Sequence, residues 1–229
     1  MAAVTRSRFR AIVFDMDGVI VNGEAAWHEL YARGDFLAPI APFWTPEDAD
    51  ALTGLSLPDL HRTLTERFGT RLSYPDFLKR FHNAGEAIYR DEAALMPGAG
   101  TTIRKLHERG LRLAVASNSP RAWIDITLER FGLEDCFAIR VSSDEVAAGK
   151  PAPEIYEEAV RRLGMGLSVC LAVEDTDIGV EAAVAAGLYV IGFRHADNAE
   201  QGFGAAHRVV TSLSHVLEVA APERGRSGG

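Results

Sequence analysis

The stretch Ala11-Ile12-Val13-Phe14-Asp15-Met16-Asp17-Gly18-Val19-Ile20 decides how the fold of this chain is interpreted. It begins with apolar residues rich in β-branched and aromatic side chains, a composition typical of a buried strand. Asp15 and Asp17 follow directly, and Gly18 permits a sharp turn after them. Residues two apart on an extended chain project to one side, so the two carboxylates can bind one ligand. By itself, however, the Asp-x-Asp pattern is equally consistent with a polar turn after a strand.

The rest of the 229-residue chain divides into two regions with different patterns of apolar residues. Residues 22–92 carry apolar residues three and four positions apart, interrupted by proline and glycine, which predicts an all-helical segment. Residues 93–222 alternate short apolar runs with helical periodicity, which predicts a parallel sheet with helices on both faces. We therefore predict an α/β fold, with a Rossmann-like core at 1–21 and 93–222 and a helical insertion at 22–92. The polar, glycine-rich residues 223–229 are predicted to form a disordered tail.

The same patterns predict individual elements. After the strand that begins at Ala11, the predicted core strands are Leu111–Ser117, Ile139–Val141, Val169–Val173, Tyr189–Phe193 and Arg208–Val210. The predicted helices of the insertion are Ala25–Ala32, Asp48–Leu52, Leu57–Phe68 and Tyr74–Arg90.

Composition excludes several kinds of partner. The formal net charge is −8 and no basic cluster stands out, so neither nucleic acid nor an anionic membrane is an expected partner. The longest near-apolar run, Ala182–Phe193, is interrupted by glycine and too short to span a bilayer. Cys136 and Cys170 lie far apart and fit buried small side chains in a reducing compartment. We predict a soluble, cytoplasmic protein that is a monomer or weak dimer.

Two groups of polar residues suited to phosphate stand near predicted strand ends. Ser117 closes a strand and Asn118 and Ser119 follow it. A hydroxyl group and the N–H groups of a helix start suit a phosphate oxygen, although Ser-Asn-Ser-Pro alone is more often a helix cap. Lys150 lies in the loop Gly149-Lys150-Pro151-Ala152-Pro153, before a predicted helix. A lysine there offers a point positive charge to phosphate, but a lone loop lysine is more commonly solvated.

A third group is acidic. Glu174 and Asp175 close the apolar strand before them, and burying two acids is costly unless a metal or hydrogen-bond donors satisfy them. Oxygen ligands of this kind near a phosphate suit Mg²⁺. Asp177, two residues further on, is interpreted as a solvated residue near the N-terminus of its helix.

These residues, in this order, resemble the motifs of the haloacid dehalogenase superfamily of phosphotransferases. The matching stretches are DMDGVIV (15–21), ASNS (116–119), GKPAPEIY (149–156) and VEDTDIGVEAAVAAG (173–187). The insertion directly after the first motif resembles the helical cap domain of the β-phosphoglucomutase-like subfamily. The resemblance covers residues 12–193 and implies an enzyme that acts on a small-molecule phosphate ester.

The resemblance also implies a role for each matching residue. Asp15 would be the nucleophile that forms an aspartyl-phosphate, and Asp17 the general acid and base. Mg²⁺ would be held by Asp15, the backbone carbonyl of Asp17, and Asp175, with Glu174 beside it. The residues that would bind the transferring phosphoryl group are Ser117, Asn118 and Lys150.

Four functions compete under this resemblance. The favoured one is a Mg²⁺-dependent phosphatase, and the alternative is a hexose-phosphate mutase of the β-phosphoglucomutase type. The resemblance to these mutases implies an arginine at the position where this chain has Leu57. It also implies a histidine at the position of Trp27, which is next to His28 in this chain. Dehalogenases of the superfamily lack the acid that stands here as Asp17. A catalytically silent binding protein is disfavoured because all the motif residues are present.

Overall fold

The described residues form a region of alternating strands and helices and a second region made mainly of consecutive helices. The structure, a computed structural model, describes residues 8–45, 48, 52, 55 and 57–220. The strands are β1 (Ala11–Phe14), β2 (Val21–Asn22), β3 (Ala94–Leu95), β4 (Arg112–Ser117), β5 (Phe137–Ser142), β6 (Cys170–Glu174), β7 (Tyr189–Phe193) and β8 (Arg208–Val210). The α-helices are α1 (Gly23–Arg33), α2 (Leu57–Glu66), α3 (Tyr74–Ala87), α4 (Ala99–Glu108), α5 (Arg121–Arg130), α6 (Glu154–Leu163), α7 (Asp177–Ala185) and α8 (Ser214–Ala220). None of these helices is long and apolar enough to cross a membrane.

A six-stranded parallel sheet forms the centre of the larger of two compact units. That unit contains Met1–Val21 and Leu95–Gly229, and the other contains Asn22–Ala94. The strand order is β5-β4-β1-β6-β7-β8, and every neighbouring pair is parallel. The order reverses on either side of β1, and ligands of such sheets bind at the carboxyl ends of the strands at that reversal. The predicted α/β, Rossmann-like fold class is confirmed.

The central strand is buried on both faces, which explains its apolar sequence. Ala11 and Val13 belong to a fully buried cluster that includes side chains of α6 and α7. Ile12 and Phe14 alternate with them and are also buried, and the Phe14 ring meets Phe137 edge-on at 5.9 Å. Side chains alternate across a strand, so helices must cover both faces of the sheet to bury all of these residues.

The described residues of the unit Asn22–Ala94 include the helices α1, α2 and α3, with short strand residues at the ends of the unit. Its core is aromatic: Phe36 and Phe77 are buried, and Trp27 stacks on Phe81 with ring centroids 4.4 Å apart. Asn22 caps α1 by accepting a hydrogen bond from the backbone N–H of Ala25 at 3.1 Å, which fixes where that helix begins.

The predicted elements of the core match the structure closely, and those of the insertion match less well. The long predicted helix Tyr74–Arg90 is α3 followed by a π-helical turn, Ile88–Glu92, because apolar periodicity does not distinguish the two hydrogen-bond patterns. Strands β2 and β3, which pair with each other, were not predicted since each has only two residues. Most of the predicted helix Asp48–Leu52 lies outside the described residues, as does the predicted tail at 223–229.

Asp177 lies at the N-terminus of its helix, as predicted, but it is half-buried and bound to a loop rather than solvated. Its carboxylate accepts hydrogen bonds from the backbone N–H groups of Gly202 at 2.8 Å and Phe203 at 2.6 Å. Its own backbone N–H donates to the side chain of Gln201 at 2.6 Å. Asp177 therefore fastens the loop between β7 and β8 to the first turn of α7. The partners lie more than twenty residues away in sequence, so a local pattern could not reveal them.

We expect Asp177→Ala to lower the free energy of unfolding by about 1–3 kcal/mol, because it leaves two backbone donors without their acceptor. Glu181→Ala is the matched control, since Glu181 is an exposed acid on the same helix. Its effect should stay within about 0.5 kcal/mol. Urea denaturation of both variants measures the difference, and equal stabilities would contradict the anchoring role.

Candidate active site

The register of the sheet places the acids of two strands side by side. Phe14 of β1 pairs with Val173 of β6, so Asp15 and Glu174, the next residues along each strand, lie at the same level. The backbone N–H of Asp15 continues the ladder by donating to the carbonyl oxygen of Val173 at 3.0 Å. The turn after β1 uses Gly18 with φ of +75°, and its N–H donates to the Val21 carbonyl at 2.7 Å.

Three buried carboxylates meet at this edge of the sheet. Asp15, Glu174 and Asp175 each offer an oxygen, and these oxygens all lie within 4.8 Å of one another. Burial raises the pKa of Asp15 well above its ordinary value, although the Lys150 ammonium opposes this shift. Burial likewise raises the pKa of Asp175, and the hydrogen bond from His195 opposes that shift. The cluster is therefore unfavourable in isolation and calls for positive charge beside it.

Lys150 supplies one positive charge. Its Nζ donates to Asp15 Oδ1 and, at 2.6 Å, to Glu174 Oε1. Its side chain is only 5% exposed, so the alternative of a solvated loop lysine is wrong. Burial alone would lower the pKa of Lys150, but the carboxylates of Asp15 and Glu174 outweigh burial and raise it. The lysine is thus held in its charged form. Tyr156 completes this corner: its hydroxyl donates to Glu174 Oε1, and its ring lies 5.1 Å from Nζ.

The loop after β4 holds the backbone of Lys150. The side-chain oxygen of Asn118 accepts from Lys150 N at 2.9 Å, and its amide nitrogen donates to Lys150 O at 3.2 Å. A Cβ on Gly149 would lie 2.5 Å from the Asn118 oxygen, so this close approach requires glycine. Ser117 is buried at the end of β4, where its Oγ accepts from the backbone N–H of Ser119 at 3.1 Å. The structure thus brings the predicted phosphate-binding residues to the same strand ends as the acids.

Asp17 is placed by a residue that sequence reasoning did not assign. Ser119 Oγ donates to Asp17 Oδ2 at 2.8 Å, which fixes the orientation of this half-buried carboxylate. Tyr156, His195 and Asn198 were missed as well. Ser119 and Tyr156 stand inside the recognised motifs, and His195 and Asn198 follow an apolar strand just as Asp15 does. For His195 and Asn198, the position after the end of a strand was the signal that sequence reasoning could have used.

The donor set fits a hard divalent cation. Every candidate ligand is a carboxylate or carbonyl oxygen, the ligand type that Mg²⁺ prefers. Asp175 Oδ1 is buried and has no hydrogen-bond partner among the residues that the structure describes. Glu174 differs, because it already accepts hydrogen bonds from the side chains of Lys150, Tyr156 and Thr176. Asp15 and Asp175 are therefore the carboxylates best placed to bind an ion.

This arrangement of acids, lysine and serine at the ends of parallel strands agrees with the sequence comparisons. Residues 9–187 match the family model described as haloacid dehalogenase-like hydrolase. The chain belongs to this family. The haloacid dehalogenase resemblance predicted from the motifs is thereby confirmed, including its β-phosphoglucomutase-like character.

Two curated relatives within the haloacid dehalogenase-like hydrolases are phosphatases by name. The bifunctional riboflavin kinase/FMN phosphatase of Arabidopsis thaliana is 30% identical over 88% of this chain and 53% of that protein. The chain thus spans about half the length of this relative. The phosphorylated carbohydrates phosphatase of Thermotoga maritima is 29% identical over 78% of this chain and 82% of that protein.

Solved structures agree with the family assignment. CbbY from Rhodobacter sphaeroides, in complex with phosphate, superposes with a TM-score of 0.78 at 26% identity, covering 91% of this chain and 96% of that one. β-Phosphoglucomutase from Clostridium difficile shares the fold, with a TM-score of 0.67 at 20% identity and coverage of 91% and 93%. The predicted enzyme class, a phosphoric monoester hydrolase of the haloacid dehalogenase type, is confirmed.

We expect Gly18→Ala to abolish hydrolysis of p-nitrophenyl phosphate, because a Cβ there would lie 1.9 Å from Asp175 Oδ2 and displace that carboxylate. Gly98→Ala is the matched control. Gly98 has a similar φ of +80°, but a Cβ on it would meet no atom within 4 Å. Both variants should lose about 1–2 kcal/mol of stability from left-handed backbone strain. Activity measured beside urea denaturation separates the two effects, and equal activities would rule out the clash.

Proposed function

We propose that this protein is a Mg²⁺-dependent phosphatase that hydrolyses a small phosphorylated metabolite, a sugar or polyol phosphate, through an aspartyl-phosphate intermediate. The observation that carries the proposal is the buried contact of Asp15 with Lys150 beside Asp175, at the carboxyl ends of β1 and β6. The relative from Thermotoga maritima, which is named a phosphorylated carbohydrates phosphatase, supports the substrate class.

The two motif acids divide the chemistry in this proposal. An oxygen of Asp15 attacks the phosphorus atom, and the bond from phosphorus to the substrate oxygen breaks. Asp17 gives its proton to the leaving alcohol. Asp17 then takes a proton from the water that attacks the aspartyl-phosphate, which releases inorganic phosphate and regenerates Asp15. Ser119 supports this role because its hydrogen bond holds the Asp17 carboxylate in one orientation.

The remaining residues bind the transferring group. Lys150 faces Asp15 and offers a fixed ammonium to the phosphoryl oxygens, and Ser117 adds a hydroxyl group. Asn118 contributes by locking the Lys150 backbone. Mg²⁺, held by Asp15, the Asp17 carbonyl and Asp175 with Glu174 beside them, would neutralise negative charge on the phosphoryl group.

Asp15→Asn tests the covalent mechanism. The variant keeps the shape of the side chain but removes the attacking oxygen anion, so kcat should fall by several orders of magnitude. Folding should be preserved, since one of three crowded carboxylates is removed; circular dichroism checks this. A variant that folds and retains about a tenth of the wild-type kcat would disprove nucleophilic catalysis by Asp15.

The phosphatase is preferred to the mutase because cationic groups expected of a mutase are replaced by apolar ones. Leu57, at the start of α2, stands where the related mutases carry arginine, and it cannot bind a second phosphate. Trp27, at the position of the mutase histidine, is stacked on Phe81. The preceding residues of the arginine motif, Gly54 and Ser56, lie outside the described residues.

NMR of the purified enzyme with β-glucose 1-phosphate and a trace of the 1,6-bisphosphate separates these two functions. A phosphatase should release free phosphate from this or from other sugar and polyol phosphates, because nothing returns the phosphoryl group to a second hydroxyl. This release should occur only when Mg²⁺ is present. Formation of glucose 6-phosphate faster than free phosphate would establish the mutase. Undiminished turnover after exhaustive chelation would contradict the metal assignment.

We also propose a cytoplasmic protein that acts as a monomer or weak dimer, without nucleic-acid or membrane partners. The buried, free thiols of Cys136 and Cys170 support a reducing compartment. The net charge of −8 argues against polyanionic partners.

A further inference from the structure

The loop after β7 brings two polar side chains to Asp175 that the proposed mechanism does not use. His195 Nε2 lies 3.2 Å from Asp175 Oδ2. Asn198, which is 6% exposed, donates from Nδ2 to the backbone carbonyl of Asp175 at 2.9 Å. The loop therefore contacts the proposed metal ligand at both its side chain and its main chain.

The hydrogen bonds of the imidazole ring fix which nitrogen carries the hydrogen. His195 Nδ1 accepts from the backbone N–H of Asp197 at 3.3 Å. Because a backbone N–H can only donate, Nδ1 presents its lone pair and the ring hydrogen lies on Nε2. The Nε2–H group therefore donates to Asp175 Oδ2. This leaves Oδ1, which has no partner among the described residues, as the oxygen free for an ion.

Several hydrogen bonds hold the loop in this position. Asn198 Oδ1 accepts from the backbone N–H of His195 at 2.8 Å, and its Nδ2 also donates to the carbonyl of Phe193 at 2.9 Å. Further along, Asp177 binds the backbone of Phe203. Hydrogen bonds thus connect the loop to the end of β7 and to the first turn of α7.

We propose that His195, supported by Asn198, is a positioning residue that orients the Asp175 carboxylate and sets the affinity of the site for Mg²⁺. The inference rests on the proposed function, since it takes Asp175 as a ligand of the ion. Groups that hydrogen-bond to metal ligands commonly contribute about ten- to hundredfold to metal affinity. Without the imidazole donor, the Asp175 side chain gains rotational freedom that ion binding must remove.

Two amide substitutions that differ by one methylene group provide the test. His195→Asn keeps an oxygen that can accept from Asp197 N–H, but its side chain is too short to reach Asp175. His195→Gln is long enough to donate to Asp175 Oδ2. We expect the dissociation constant for Mg²⁺, measured by isothermal titration calorimetry, to rise about ten- to hundredfold in His195→Asn and much less in His195→Gln.

His207→Asn is the control variant. His207 Nδ1 also accepts from a backbone N–H, that of Val190 at 3.1 Å, and the residue lies in the same unit as His195. The His207→Asn variant should have the same dissociation constant for Mg²⁺ as the wild type. In phosphatase assays, His195→Asn should raise the Mg²⁺ concentration needed for half-maximal activity. The fold decrease in kcat at saturating Mg²⁺ should be smaller than the fold increase in that concentration.

The outcomes separate this inference from the function on which it rests. A wild-type protein that binds Mg²⁺ and releases phosphate, with His195→Asn binding the ion equally well, overturns the positioning role alone. A wild type that binds no Mg²⁺ overturns both proposals. Urea denaturation distinguishes a structural role: a less stable His195→Asn with unchanged Mg²⁺ affinity also overturns the inference.

Discussion

The close packing of three carboxylates at the carboxyl ends of β1 and β6 is the constraint on which the rest of the site depends. Their oxygens share a buried space within 4.8 Å of one another, where mutual repulsion and loss of water both oppose ionisation. The buried ammonium of Lys150 offsets part of the negative charge. The surplus of acid over base supports the proposal that the site binds a divalent cation.

Much of the surrounding backbone is shaped by the need to approach these acids closely. A Cβ on Gly179 would lie 2.1 Å from the Glu174 carboxylate, and one on Gly18 would overlap Asp175. Gly149 similarly makes room for Asn118, which holds the lysine loop. Glycine at these positions lets the main chain lie directly against a carboxylate or amide side chain.

The active-site residues and the helical insertion have different roles in the proposed enzyme. The phosphoryl-transfer residues come from the sheet unit, and they would suit any haloacid dehalogenase-like phosphatase. The helical unit contains buried Phe36 and Phe77, and Trp27 stacks on Phe81. The proposal takes apolar Leu57 and Trp27 as the reason why this unit would not bind a second phosphate. In the proposed mechanism, a phosphoryl group transferred to Asp15 would have water as its acceptor, rather than a second hydroxyl of a bound sugar phosphate.

The sequence alone determined the fold class and the members of the acidic cluster. A parallel sheet leaves a short-range pattern, an apolar run ended by polar residues, and the predicted acids and Ser117 stand at or just after such runs, whereas Lys150 lies in a loop. Carboxyl ends of parallel strands meet at one edge, so Asp15, Ser117 and Asp175 could be placed together without coordinates. What these residues touch could not be predicted in the same way.

Only the tertiary structure showed that Lys150 is buried between two carboxylates, that Ser119 orients Asp17, and that His195 reaches Asp175. These pairs are separated by twenty to more than a hundred residues, and no periodicity connects their positions. Asp177 is a further example. An aspartate in the first turn of a helix looks the same in sequence whether it is solvated or, as here, binds the backbone of a distant loop. Sequence specifies which groups stand at each strand end, whereas the packing of loops decides which of them form hydrogen bonds.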